Sequence, residues 1–485
     1  MSRSCPQGEL AIVLHTHMPY VEGFGTWPFG EEWLWEAISG SYLPLLDLLD
    51  EGAPLTLSLT PVLCDQLEAP GVGERFEAFV EQVRGRTHAE DIAGLRDGGH
   101  ETLARELERS WGEHERALQR FRGLDGDLLG GLARHAQWTS SATHAVLALL
   151  ATDAGVRAQV QSGVDAHRRR FGNGWQGGFW LPECAHAPYL EPLLEEAGVR
   201  STCVELTGRY GLGASEHLRP LLGEAGVVLV PIDRLTISHV WSDAGYPAHG
   251  GYRDYHHHTV HHHTPWANDG SAYDHELALS IAREHARDFV AQAIERLCSA
   301  NEAAGSAGTG GAKALPGGGL VVCALDTELL GHWWYEGVEW LRAVVEECSR
   351  QGLALVRLDE AQAMRDPAAV DNSKWQASTW GKGGDLSTWS GPAVAEMAFL
   401  ARAAELQTLA AGPTAGASAT RELLALQASD WAFMVSRELA MPYARERFAG
   451  HLDALRRALD GGPDSTSGAL RNLSSHVQST ALLGS

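Results

Sequence analysis

Seven short apolar runs punctuate the first three quarters of the chain, and they constrain its fold more than any other feature. They are ELAIVLHTH (9–17), PLTLSLTPVL (54–63), GGFWLPE (177–183), RSTCVEL (200–206), GVVLVPID (226–233), GLVVCALDTE (319–328) and LALVRLD (353–359). Each is too short to cross a bilayer and too uniformly apolar for a half-exposed strand, so each reads as a strand buried on both faces. Helical patterns such as YLEPLLEEAG (189–198) and EHARDFVAQAIERLCSA (284–300) lie between them. Strand–helix alternation on this scale points to a parallel α/β barrel rather than a sandwich.

The segment 66–135 breaks the alternation: it is charged, helical in pattern and poor in strands, and is expected to be a helical insertion. Two stretches read as flexible connections, NEAAGSAGTGGAKALPGGG (301–319) and AAGPTAGASAT (410–420). The remainder of the C-terminal region, including RFAGHLDALRRAL (447–459), has the spacing of amphipathic helices. The expected division is a barrel domain over 1–365 that contains the insertion, followed by a helical domain over 366–485.

A net charge of −24 repels nucleic acid and anionic membranes and suits a neutral substrate. Seven scattered cysteines, none in a CxxC pair, fit reduced thiols in a cytoplasm, and the N-terminus carries no signal-peptide pattern. Sixteen tryptophans exceed the ten tyrosines and eleven phenylalanines. Trp27, Trp33, Trp35, Trp138, Trp180, Trp241, Trp333, Trp334, Trp380 and Trp389 lie beside Gly, Pro, His or acidic residues. As a set they suit stacking on the apolar face of sugar rings; singly, each is better explained by the core.

Polar groups cluster where the strands end. LHTHMPY offers His15 and His17, on one face by strand alternation. WTSSATH offers His144, GFWLPE offers Glu183, and ALDTELLGHWW offers Asp326, Glu328 and His332. Pro182 marks the point where the strand leaves its sheet, the place where α/β folds keep their chemistry. Two carboxylates on separate strands suit glycosidic chemistry, one attacking the anomeric carbon and the other handling the leaving-group proton. The run YHHHTVHHHTPW (255–266) lacks ligand geometry and flanking acidic partners, and is expected to be a solvated loop.

HTHMPYVEGFGTWPFGEEWLWEAI, GFWLPECAH, VWSDAGYP, ALDTELLGHWW and STWGKGGDLSTW resemble, in order, the motifs of glycoside hydrolase family 57, and most closely those of its α-1,4-glucan branching enzymes. The resemblance implies a (β/α)7 barrel, a retaining mechanism, an α-1,4-glucan as partner and no metal or organic cofactor. By the same resemblance Glu183 is the nucleophile and Asp326 the general acid/base. His15, His17 and His144 would contact the donor sugar, and Trp27, Trp241, Trp380 and Trp389 would stack on glucan. Asp430 in QASDWAF matches a position near the active site. The segment between Glu183 and VWS is compact, with Tyr210 in the place of a tyrosine carried on a longer shielding loop.

An α-amylase or 4-α-glucanotransferase of the same family would use the same carboxylates. A metal-dependent amidohydrolase would explain His15 and His17 differently, but it usually needs a lysine ending a barrel strand. The three lysines, Lys313, Lys374 and Lys382, do not supply one. A non-enzymatic glucan-binding protein would explain the tryptophans without requiring Glu183 and Asp326 together.

Overall fold

The computed structural model describes residues 8–25, 30–306, 318–370, 375–461, 470–477 and 482. Its strands are β1 (Gly8–Thr16), β2 (Thr56–Leu59), β3 (Ala136–Ser140), β4 (Gly178–Trp180), β5 (Ser201–Val204), β6 (Leu221–Leu222), β7 (Val228–Pro231), β8 (Gly319–Asp326), β9 (Ala354–Leu355) and β10 (Ala368–Ala369). Seven of them form a parallel series in the order β8-β1-β2-β3-β4-β5-β7. The series curves until its two ends meet. There the amide of Asp233 donates to the carbonyl of Val322 at 2.8 Å, the one backbone hydrogen bond between these ends among the described residues. The expected seven-stranded barrel is therefore present, joined on one side by a single bond rather than a ladder.

Strand lengths follow burial. Leu10, Ala11, Ile12, Val13 and Leu14 of β1, and Leu320 through Leu325 of β8, are almost wholly excluded from solvent. These two strands pair over eight residues, from Gly8 with Gly319 to His15 with Asp326, which sets His15 beside the aspartate. The run 353–359 gives less strand than expected. Only Ala354 and Leu355 pair, on the part of β1 that precedes its pairing with β2, before the chain turns into the helix Leu358–Ala363.

Helices replace strands between β2 and β3 as expected, with Gly85–Asp97 and the long Glu101–Gly123 the largest. After β10 the chain is helical: Ala395–Ala411, Gly416–Leu426, Ser429–Ser436 and Met441–Leu459 pack around Leu423, Trp431, Phe448 and Leu455. The stretch 410–420 is not a flexible connection. A tight turn at Gly412–Ala415, with Gly412 and Gly416 at positive φ, joins two helices directly, and alanines continue the second. The other Gly-rich stretch begins as the end of the helix His275–Ser306, and 307–317 lie outside the described residues.

Candidate active site

Glu183 sits in a sharp turn directly after β4, with φ of 62° at Glu183 and 48° at Cys184. Two consecutive non-glycine residues in the left-handed region are strained, and such strain persists only where surrounding bonds over-determine it. Those bonds come from the segment 378–380. His186 and Ser378 exchange backbone bonds at 3.0 Å each, and the Trp380 amide donates to the Glu183 carbonyl at 3.1 Å. The side chain is fixed in the same way: Trp380 Nε1 donates to Glu183 Oε2 at 2.9 Å, and Ser429 Oγ donates to Oε1 at 3.0 Å.

Asp326 ends β8, and among the described residues nothing donates a hydrogen bond to its carboxyl. Burial pushes its pKa well above the usual carboxylate range, and the negative charges of Glu328 and Glu183 push it further the same way. Glu183 is raised too, chiefly by burial, but its two hydrogen bonds oppose the rise. The surroundings thus separate the two carboxyls: Asp326 holds a proton more firmly and Glu183 is stabilised as the anion. Glu328 is clamped by Tyr42 Oη at 2.6 Å and by the His17 amide at 3.1 Å, and burial lifts it to about 7.

The histidines form a stack. His15 lies flat on Trp180 with centroids 4.6 Å apart, and His144 lies on His17 at 3.9 Å and 20°. His17 Nε2 donates to Asp430 Oδ1 at 2.9 Å. Burial would lower the pKa of His17, but Asp430, Glu328 and Glu183 outweigh it and hold the ring above the ordinary histidine value. Burial, and then the charge of His17, keep His15 and His144 well below that value, so both are neutral. His144 itself has φ 60°. Its carbonyl receives the Ser429 amide, which docks the helix Ser429–Ser436 onto the barrel and delivers Ser429 and Asp430.

His17, His144 and Asp430 are the only trio of potential metal ligands among the described residues. Two imidazoles stacked face to face, however, direct their lone pairs along nearly parallel planes rather than to one point, so the trio does not fit a tetrahedral ion. Asp430 Oδ2 is buried with no partner among the described residues, an acceptor left over at the centre of the cluster.

The other expected residues fall differently. Trp241 is 52% exposed, at the end of the helix Arg234–Val240. Trp389 is 3% exposed and packs with Val146 and Ala185, so it cannot offer a face to sugar. Trp35, Trp138, Trp180 and Trp334 are likewise core, whereas Trp333 is 46% exposed. Trp380 is half-buried and serves as a donor to Glu183. His15, at 1% exposure, is buried between Trp180 and His144. Tyr210 rests against Arg209 and His217. Trp27 lies outside the described residues.

The histidine run is not a simple solvated loop. His256, His257 and His258 are exposed, but Asp91 of the helical insertion accepts bonds from His261 Nδ1 at 2.7 Å, from His263 Nδ1 at 2.8 Å and from Thr259 Oγ1. An acidic partner 170 residues away in sequence is invisible to a reading of local spacing. The segment forms one wall of a cavity of about 670 Å³ that also involves Arg84, His114, Arg253 and His332. Ser429 was equally hidden, because a serine opening a helix reads as a local cap.

Residues 137–370 match the family model of glycosyl hydrolase family 57, and residues 392–473 match that of the 1,4-alpha-glucan branching enzyme C-terminal region. The chain is 32% identical to a 1,4-alpha-glucan branching enzyme of Thermococcus kodakarensis, an alignment covering 92% of this chain and 72% of that protein. It is also 32% identical to a probable 1,4-alpha-glucan branching enzyme of Mycobacterium tuberculosis, over 94% of this chain and 92% of the relative. The crystal structure of the family 57-type branching enzyme of Pyrococcus horikoshii superposes with a TM-score of 0.86 at 28% identity, covering 98% of this chain and 96% of the other.

Proposed function

The chain belongs to glycoside hydrolase family 57, and from that premise we propose that it is a 1,4-alpha-glucan branching enzyme working through a glycosyl-enzyme intermediate. Glu183 attacks the anomeric carbon of an α-1,4-glucan while Asp326 gives its proton to the departing 4-oxygen. Asp326, now a carboxylate, takes the proton of an incoming 6-hydroxyl, whose oxygen displaces Glu183 and forms the α-1,6 branch. The observation that carries this reading is the split between the two carboxyls. The one with two hydrogen-bond donors suits the nucleophile, and the one with none, beside Glu328, suits the acid.

The partly exposed pair of His17 and Asp430 suits the donor sugar, and exposed Trp241 suits stacking on glucan. The proposal includes a catalytic part extending to about residue 365 that is completed by Ser429 and Asp430 from the C-terminal helices. It also includes a cytoplasmic role in glycogen synthesis, supported by six described cysteines that form no disulfide.

Proton NMR of amylose incubated with the protein tests the reading. New α-1,6 anomeric signals are expected, with none from Glu183→Gln; reducing ends alone would replace branching by hydrolysis. Some hydrolysis is expected beside branching. The segment between Glu183 and Trp241 is compact, and its Tyr210 packs against Arg209 and His217, which offers the intermediate less shielding from water than a long loop would.

A further inference from the structure

We propose that Ser429 is a positioning residue for the nucleophile, the last donor in a one-directional hydrogen-bond chain that runs Ser58, His15, His144, Ser429, Glu183. The inference rests on the reading of Glu183 as nucleophile and goes beyond it by assigning every proton behind that carboxylate.

The distances are 3.3 Å from Ser58 Oγ to His15 Nδ1 and 2.8 Å between the Nε2 atoms of His15 and His144. They are 2.9 Å from His144 Nδ1 to Ser429 Oγ and 3.0 Å from Ser429 Oγ to Glu183 Oε1. An ionised carboxylate only accepts, so the single hydroxyl proton of Ser429 goes to Glu183. Its oxygen must then accept from Nδ1–H of His144. A neutral imidazole has one N–H, so His144 Nε2 is bare and accepts from Nε2–H of His15. His15 Nδ1 is bare in turn and accepts from the Ser58 hydroxyl. Each step leaves one assignment: protonating His144 would set two N–H groups against each other across 2.8 Å, and protonating His15 would reverse its bond with Ser58. His17 guards against this: paired with Asp430 and stacked on His144, it places a positive charge next to both rings.

The chain fixes one oxygen of Glu183 while Trp380 Nε1 fixes the other, so the plane of the attacking carboxylate is set before substrate arrives. The charged or titratable groups that face Glu183 are His17, His144 (Nδ1 at 3.8 Å from Oε1), Asp430 and Asp326. Ser429 is the donor on the Oε1 side, and its loss would leave Asp430 and Asp326 less opposed.

Ser429→Ala should lower kcat on amylose by about tenfold to a hundredfold, the value of a hydrogen bond to a charged group, with KM within about twofold. The acid limb of the kcat/KM profile should move to higher pH, and Ser429→Thr should restore both rate and limb. Wild-type kcat with an unmoved limb in Ser429→Ala would overturn the inference. Neutron diffraction of the wild type serves if that variant fails to fold: deuterium is expected on His144 Nδ1 and His15 Nε2, and deuterium on His144 Nε2 overturns the chain. Trapping with a fluorinated glucosyl fluoride and mapping the labelled peptide keeps the two readings separate. Label away from Glu183 defeats the nucleophile assignment, whereas label on Glu183 with an unaltered Ser429→Ala defeats only the role of the serine.

Discussion

Glu183 and Asp326 carry the same functional group, and what distinguishes them is the company each keeps. Removing the titrating proton of Asp326 with Asp326→Asn should reduce turnover about 10²–10⁴-fold, and should flatten the alkaline limb of the pH–rate profile in initial-rate assays. Glu328 offers a test of stability. Its folded pKa of about 7 lies above an unfolded value of about 4.3, so folding favours its protonated form. Wild-type stability should therefore fall, relative to Glu328→Gln, as pH rises through about 4.5 to 7, with a constant difference above that; denaturant melts across this window measure it. The two tryptophans should also part. Trp389→Ala should cost about 3–5 kcal/mol of stability, whereas Trp241→Ala should leave the melting temperature unchanged and raise KM for glucan. Alternation and Pro182 make His15, His17, Glu183 and Asp326 legible in the sequence, because strand ends have a local signature. Burial of Trp389 and the reach of Ser429 depend on helices that dock from more than 200 residues away, and no local pattern encodes that.

At the scale of elements, the site is a joint between barrel strands and segments that follow them in sequence. The segment 378–380 clamps the strained turn at Glu183, and the helix beginning at Ser429 clamps His144. Six of the seven barrel strands are readable from their apolar runs, though not their extents; β3, with the sequence AQWTS, has no such run. The run 353–359 looks like its neighbours, yet it pairs with β1 only at Glu9 and Leu10, ahead of the Val13–Thr16 stretch that β2 occupies. The stretch 410–420 misleads in the opposite sense, since its alanines, so similar in composition to a linker, are strong helix formers. Asp91 is the equivalent tie for the histidine-rich segment. Asp91→Ala should release residues 259–263 to limited proteolysis, detected by mass mapping of the first cuts, and chelators should leave the wild-type pattern unchanged.

For the whole molecule, a net charge of −24 and an uncharged polysaccharide make a specific combination. Long-range steering has nothing to act on, so KM for amylose should stay within about twofold between roughly 0.05 and 0.5 M salt, measured by initial rates. The seam between β7 and β8 has a consequence of another kind. A ring fastened along every joint but one behaves as a split collar: its girth can change by parting one bond, while each ladder elsewhere stays intact. A chain laid across the rim would act as a strap over the gap. Amide exchange at 228–233 and 319–326 should therefore slow when a non-cleavable glucan binds, and slow more there than in the fully laddered strands opposite.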